Sequence, residues 1–133
     1  MRALAACVLA LSLAACGGKE EPTPLKQPAE DSFAAGTCRT GAPDVLALGR
    51  TVHLLGNGPT VTPERRSALS EAQDRLAAVA EGAEPMYKPA FDRLVVAVGV
   101  VRIRADSNTY EKQFGERAAA AYDEVLAVCG AKS

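Results

Sequence analysis

The chain has 133 residues, and its charge is nearly balanced, at 15 Lys and Arg against 16 Asp and Glu. A nucleic-acid-binding protein needs a basic face, so this balance argues against a nucleic-acid partner. The length is sufficient for one folded domain with a core of modest size.

The chain begins with a short apolar run that ends in Leu13-Ala14-Ala15-Cys16. The run is too short for a membrane span of about 20 residues, but it has the length of a signal-peptide core, with Arg2 as its positive start. Leu13 to Cys16 resembles the lipobox of bacterial lipoproteins, which is an aliphatic residue, two small residues and a cysteine. The resemblance implies that residues 1–15 are removed and that the sulfur of Cys16 receives a diacylglyceryl group. The alternative is an N-terminal helix in which this string occurs by chance.

The resemblance also implies a location. A lipidated Cys16 would hold the protein at the extracytoplasmic face of the cell membrane. Gly17 would permit sorting to the outer membrane in a two-membrane bacterium, since an aspartate at that place retains lipoproteins in the inner membrane. The chain is similar in style to small helical lipoproteins of actinobacteria, a likeness that implies no particular activity.

Residues 16–36 are predicted to be the lipidated cysteine and a disordered tether. The stretch after Cys16 contains three prolines, four acidic residues and few large apolar side chains. Such a composition cannot bury enough surface to offset the entropy of ordering. The folded domain is therefore expected to cover residues 37–133.

The first two predicted helices have clear ends. The first covers about 44–55, with Pro43 in its first turn and Gly56 as its end. The second has Thr62 as N-cap and Pro63 as its first residue, and it ends at Gly82. Apolar residues three and four apart give each helix one buried face: Val45, Leu48, Val52 and Leu55, then Leu69, Ala72, Leu76 and Val79.

The third segment, about 86–106, is ambiguous between helix and strand. Residues 94–101 are rich in branched side chains and could form a buried strand. Pro89 would weaken a helix unless it lies in the first turns. Helix is favoured because a single strand would have no partner in the chain, and because the apolar residues fit one helical face: Phe91, Leu94, Val95, Val98, Val101 and Ala105.

The fourth predicted helix covers about 109–129. Asn108 or Ser107 is the expected cap, with Glu111 three residues after Asn108 as in a capping box. Its apolar face comprises Tyr110, Phe114, Ala118, Ala121, Tyr122, Val125 and Cys129. The predicted fold is therefore all-α, an up-down-up-down four-helix bundle.

The cysteines predict one disulfide. If Cys7 is removed and Cys16 is acylated, Cys38 and Cys129 remain, in a compartment where disulfides persist. With four antiparallel helices, Cys38 before the first and Cys129 at the end of the fourth lie at the same pole. Two free thiols, or a metal site that would need more ligands, are the alternatives.

No catalytic site is predicted. His53 is the only histidine, and it lies beside the apolar stripe of the first helix, as a half-exposed surface residue would. Adjacent acids such as Asp123 and Glu124 point about 100° apart on a helix and cannot flank one bond. No cofactor or metal is expected, and the protein is expected not to be an enzyme.

Two further sets of polar residues have ordinary structural interpretations. Tyr87, Tyr110 and Tyr122 could line a pocket, but such rings more often lie in a core with the hydroxyl at its rim. Arg102 and Arg104 could meet anionic head groups, but arginines at a helix end are more often solvated.

Three function classes remain. The favoured one is a membrane-anchored binding or interaction module, in which a helix groove engages an envelope protein or a small ligand. The alternative is a structural or chaperone-like envelope lipoprotein without a small ligand. An enzyme with an unrecognised site is the third. An exposed apolar patch of several hundred Å² would favour the first class over the second.

Overall fold

The structure of the protein is a computed structural model that describes residues 25–56 and 60–132. Four α-helices follow a short 3-10 helix at Glu30–Ser32: α1 at Thr37–Gly56, α2 at Pro63–Glu81, α3 at Lys88–Asp106 and α4 at Lys112–Val128. Each helix packs on the next, and α4 closes the ring by packing on α1. The described ranges contain no strand, so the predicted all-α bundle is confirmed.

One continuous core fills the bundle, as the apolar stripes predict. In α2 and α3 the buried residues follow the predicted faces closely, at Leu69, Ala72, Leu76 and Ala80, and at Ala90, Phe91, Leu94, Val98 and Val101. Residues 94–101 are therefore helical, and the strand alternative is wrong. Pro89 lies in the first turn of α3, where its missing N–H has no helical partner to lose.

The start of α2 forms as predicted. Thr62 is the N-cap, and its hydroxyl accepts a hydrogen bond from the amide of Arg65 at 3.3 Å. Pro63 is the first helical residue, and Gly82 is the C-cap.

Helix α1 is longer than predicted. It starts at Thr37, so Pro43 lies inside the helix and not in its first turn. Proline in a helix interior costs about 3 kcal/mol or more. Cys38 and Ala42, which precede the proline, are both fully buried, and burial holds the extra turns in place.

The first turn of α1 is capped by a residue far along the chain. The amide of Thr37 donates to the Glu84 carboxylate at 3.1 Å, and the amide of Glu84 donates to the Thr37 hydroxyl at 3.0 Å. Glu84 lies between α2 and α3. This reciprocal pair satisfies a free amide of the helix end, as a capping box does within one segment.

The start of α4 differs from the prediction. The helix begins at Lys112, and its N-cap Glu111 makes no side-chain capping bond. Ser107 is the C-cap of α3 and its hydroxyl donates to the Ile103 carbonyl at 2.8 Å. Asn108 has a left-handed φ of 55° and belongs to the turn. The capping-box prediction is wrong because both candidate caps are used to end α3.

The predicted disulfide is present. Cys38 and Cys129 are bonded, with their Cα atoms 5.5 Å apart, and the bond spans 91 residues of sequence. It joins the first turn of α1 to the end of α4 at one pole of the bundle, as an even number of antiparallel helices requires.

The prediction of a disordered tether is wrong for residues 25–36, which pack on the bundle; residues 16–24 lie outside the described ranges. We call residues 25–36 the N-terminal strap. Its Phe33 is only 1% exposed and belongs to the core. The Gln27 side-chain amide donates to the Leu46 carbonyl at 2.7 Å, and the Ala34 amide donates to the Cys129 carbonyl at 3.0 Å. Average composition failed here because a few well-placed contacts order the strap, and residues 25–36 belong to the folded domain.

Candidate binding groove

The side chains singled out from the sequence do not form one site. Cys16 lies outside the described residues. Cys38 and Cys129 form the disulfide at one pole. His53 is half-buried on α1.

Two of the three tyrosines have ordinary structural roles with a bonded hydroxyl, Tyr122 in the core and Tyr110 packed against it. Tyr122 is 4% exposed, and its hydroxyl accepts a hydrogen bond from Gln27 at 3.2 Å. The Tyr110 hydroxyl donates to the Leu55 carbonyl at 3.2 Å. Burial raises the pKa of both phenols above the ordinary value, since it disfavours the charged form. Both hydroxyls are therefore engaged in hydrogen bonds within the fold.

A groove lies between α3 and α4, with a volume of about 570 Å³. We call it the α3–α4 groove. Six apolar residues form most of its lining: Val96, Ala97, Val100, Phe114, Ala120 and Ala121. Four charged residues stand around it: Asp92, Arg93, Arg117 and Glu124. An apolar lining with a few polar groups, in this range of volume, is usual for small-molecule sites.

The apolar character of the groove arises from a second stripe on α3. Val96, Val100 and Ile103 recur at spacings of four and three, on the side of the helix away from the core. They are 64%, 36% and 68% exposed. A helix that is apolar on both sides is normally covered on both sides. The outer stripe therefore marks a surface for which the bundle itself supplies no cover.

The charges around the groove are mostly paired. Arg93 of α3 forms two hydrogen bonds with the Glu124 carboxylate of α4, one of them 2.9 Å long. This contact lowers the pKa of Glu124 below its ordinary value, and it links the two helices across one end of the groove. Asp92 is paired with Lys88 at 3.1 Å.

The other end of the groove is aromatic and basic. The Arg104 guanidinium lies over the ring of Phe114, 5.0 Å from its centroid, in a cation–π contact. Arg102, the other arginine noted at this helix end, donates to the Gln73 side chain at 2.6 Å. Arg117 is exposed on α4, and within residues 25–56 and 60–132 its side chain has no ion-pair partner.

A second cavity, of about 170 Å³, is small and polar, and Arg66, Asn108 and Tyr110 are among its lining residues. Arg66 is already paired there with Asp106 at 3.5 Å. The described residues contain no group of three potential metal ligands. No helix in the described ranges is long and apolar enough to cross a membrane.

Sequence reasoning expected a helix groove in general terms but did not locate it. The signal was present in residues 94–101, where apolar side chains occur on both sides of the helix and not on one. The same excess also fits a buried strand, so the sequence pattern alone does not separate an outer apolar stripe from a strand. Comparison with protein-family models, curated proteins and solved structures gives no match to this chain.

Proposed function

We propose that this protein is a lipid-anchored extracytoplasmic protein that acts as a binding module through the α3–α4 groove. The observation that carries the proposal is the groove with its exposed outer stripe on α3. Val96 and Ile103 expose most of their side chains to solvent, which is unfavourable unless a ligand or partner covers them.

The charged groups at the groove favour binding over catalysis. Arg93 and Glu124 are held together by two hydrogen bonds, so neither is a poised acid or base. The proposal therefore contains no catalytic step and no cofactor.

The disulfide supports an extracytoplasmic location. A bond between Cys38 and Cys129 persists in oxidising compartments and is rare in the cytoplasm. That is the compartment in which a protein anchored through Cys16 would lie.

The anchor is tested by replacing Cys16 with serine and comparing the mass and the membrane partition of the products. We expect the wild-type protein to lack residues 1–15, to carry a diacylglyceryl group and to partition into detergent. Cys16→Ser should give an uncleaved precursor without lipid. A Cys16→Ser product with the mass of a diacylated mature protein would contradict the anchor.

The groove is tested by placing a photoreactive amino acid at Val96 in cells, with Ala78 as the matched position. Both residues are exposed on helices, but Ala78 is on α2, away from the groove. A binding module should give a defined cross-linked product from position 96 that is absent from position 78. The structural alternative is correct if the two positions give the same products and if cells with Val96→Lys keep their envelope as intact as wild-type cells do.

A further inference from the structure

The α3–α4 groove has about the length of one lipid chain. Along α4 it extends from Phe114 to Glu124, ten residues or about 15 Å at the rise of an α-helix. A bilayer has a hydrocarbon core about 30 Å thick, so a chain in one leaflet extends over a similar distance of about 15 Å. The alanines at positions 97, 120 and 121 keep the groove open, since larger side chains there would fill it.

The charges around the groove favour an anionic ligand. Glu124 and Asp92 are paired with Arg93 and Lys88, respectively. Arg117 is the remaining charge on the lining, and no described residue neutralises it. A ligand with one apolar chain and a negative head group would cover the apolar lining and pair with this guanidinium.

The position of the domain brings such a ligand within reach. The strap is packed on the bundle from Leu25 onwards, so nine peptide steps separate it from Cys16. Nine peptide steps cover at most about 30 Å, the length they have when fully extended. If Cys16 carries the lipid, the domain stays close to the membrane surface, where single-chain anionic amphiphiles are available.

We propose that the α3–α4 groove binds one hydrocarbon chain of an anionic membrane amphiphile, such as a fatty acid, with the head group at Arg117. This inference rests on the proposed binding function and names the ligand class. A helix of a partner protein is less well matched, because a helix with its side chains is about 10–12 Å wide and would leave Arg117 unpaired unless it also carried an acidic side chain at that place.

The test uses the full chain mixed with phosphatidylcholine vesicles that contain palmitate with a photoreactive diazirine on its chain. After irradiation, mass spectrometry of the peptides locates the label. We expect the label on the groove-lining parts of α3 and α4. Excess unlabelled palmitate should remove it. Hexadecanol, which has the same chain without the charge, should compete about fivefold less well, the ratio that corresponds to an exposed ion pair of about 1 kcal/mol.

Two variants with matched controls give the decisive comparison. Ala120→Phe fills the groove and should reduce labelling at least about tenfold, a loss equivalent to about 1.4 kcal/mol of binding. Ala78→Phe makes the same change on an exposed site of α2 and should label as wild type does. Arg117→Ala should reduce palmitate labelling about fivefold. Arg65→Ala, on α2 outside the groove, should leave it unchanged.

If the protein is labelled, three results would overturn the inference: label spread evenly over the four helices, undiminished labelling of Ala120→Phe, or equal competition by palmitate and hexadecanol. Absence of groove labelling, with a groove-specific protein cross-link in cells, would identify a partner's helix as the occupant. Circular dichroism checks that Ala120→Phe is folded. If Ala120→Phe does not fold, the inference is decided by Arg117→Ala, and undiminished labelling of that variant would overturn it. If the wild-type protein from cells carries no lipid on Cys16 but its groove is labelled, the anchor is refuted and the inference is retained. An anchored protein with an unlabelled groove would refute the inference alone.

Discussion

The packing of α4 on α1 makes a sharp prediction at Gly49. This glycine is buried in the middle of α1, and the ring of Tyr122 lies directly against its backbone. A Cβ atom at position 49 would overlap the ring and come within 2.9 Å of the hydroxyl oxygen. The ring is held in place because its hydroxyl accepts a hydrogen bond from Gln27 and because Tyr122 is buried. Gly49→Ala should therefore destabilise the protein, although alanine is the better helix former.

The magnitude follows from two opposing effects. Overfilling a packed core costs about 1–3 kcal/mol. Replacing glycine by alanine inside a helix contributes about 1 kcal/mol in the other direction. We expect a net loss of up to about 2 kcal/mol in the free energy of unfolding, which for a domain near 100 residues lowers the melting temperature by up to roughly 15 °C.

Gly99→Ala is the matched control. Gly99 also lies inside a helix, but a Cβ there would meet only the end of the flexible Gln73 side chain, at 2.8 Å. Shifting that side chain would weaken its hydrogen bond to the Val95 carbonyl, which costs about 1 kcal/mol, and the gain of about 1 kcal/mol in helix propensity offsets this cost, so the stability should be nearly unchanged. Both variants are compared with wild type by chemical denaturation followed by circular dichroism.

A second mutation identifies the cause of the effect. In a Tyr122→Leu background the ring is absent, so Gly49→Ala should be neutral or stabilising. The reasoning is refuted if Gly49→Ala stabilises the otherwise wild-type protein, or if its cost is the same without the ring.

Three further predictions concern the strap, the disulfide and a buried phenol. Phe33→Ala should lower stability by about 3–5 kcal/mol in chemical denaturation, because Phe33 is a core residue, whereas a disordered tether would tolerate the change. Replacing Cys38 and Cys129 with serine should lower stability by about 2–5 kcal/mol without loss of helical signal, and uptake of two alkyl groups by the non-reduced wild type would show that the bond is absent. Because burial raises the pKa of Tyr122 in the fold, its stabilising contribution is present below the unfolded pKa of about 10 and is lost as pH rises through the folded pKa. Tyr122→Phe should therefore lose less stability than wild type between about pH 8 and pH 11, as measured by denaturant midpoints, and an equal loss would contradict the assignment.

The sequence predicts the type of candidate site, a groove between helices, but not its location. The sequence suggested a helix groove, and residues 94–101 showed an excess of apolar side chains. Which of these side chains face outward depends on the position of α3 between α2 and α4. Only the packed bundle places Val96 and Val100 beside Phe114 and leaves Arg117 without an ion-pair partner among the residues that the structure describes.

The sequence by itself determined the number of helices, the cap at Thr62 and the pairing of Cys38 with Cys129. Local hydrogen bonding and the 3.6-residue period leave a pattern within a few residues, and four antiparallel helices bring Cys38 and Cys129 to the same pole. The tertiary structure decided that α1 begins at Thr37 and that the strap is ordered. The cap of Thr37 comes from Glu84, 47 residues away, and the Phe33 side chain is buried by packing against the bundle. Contacts between residues so far apart leave no local pattern, so they become visible only when the chain has folded.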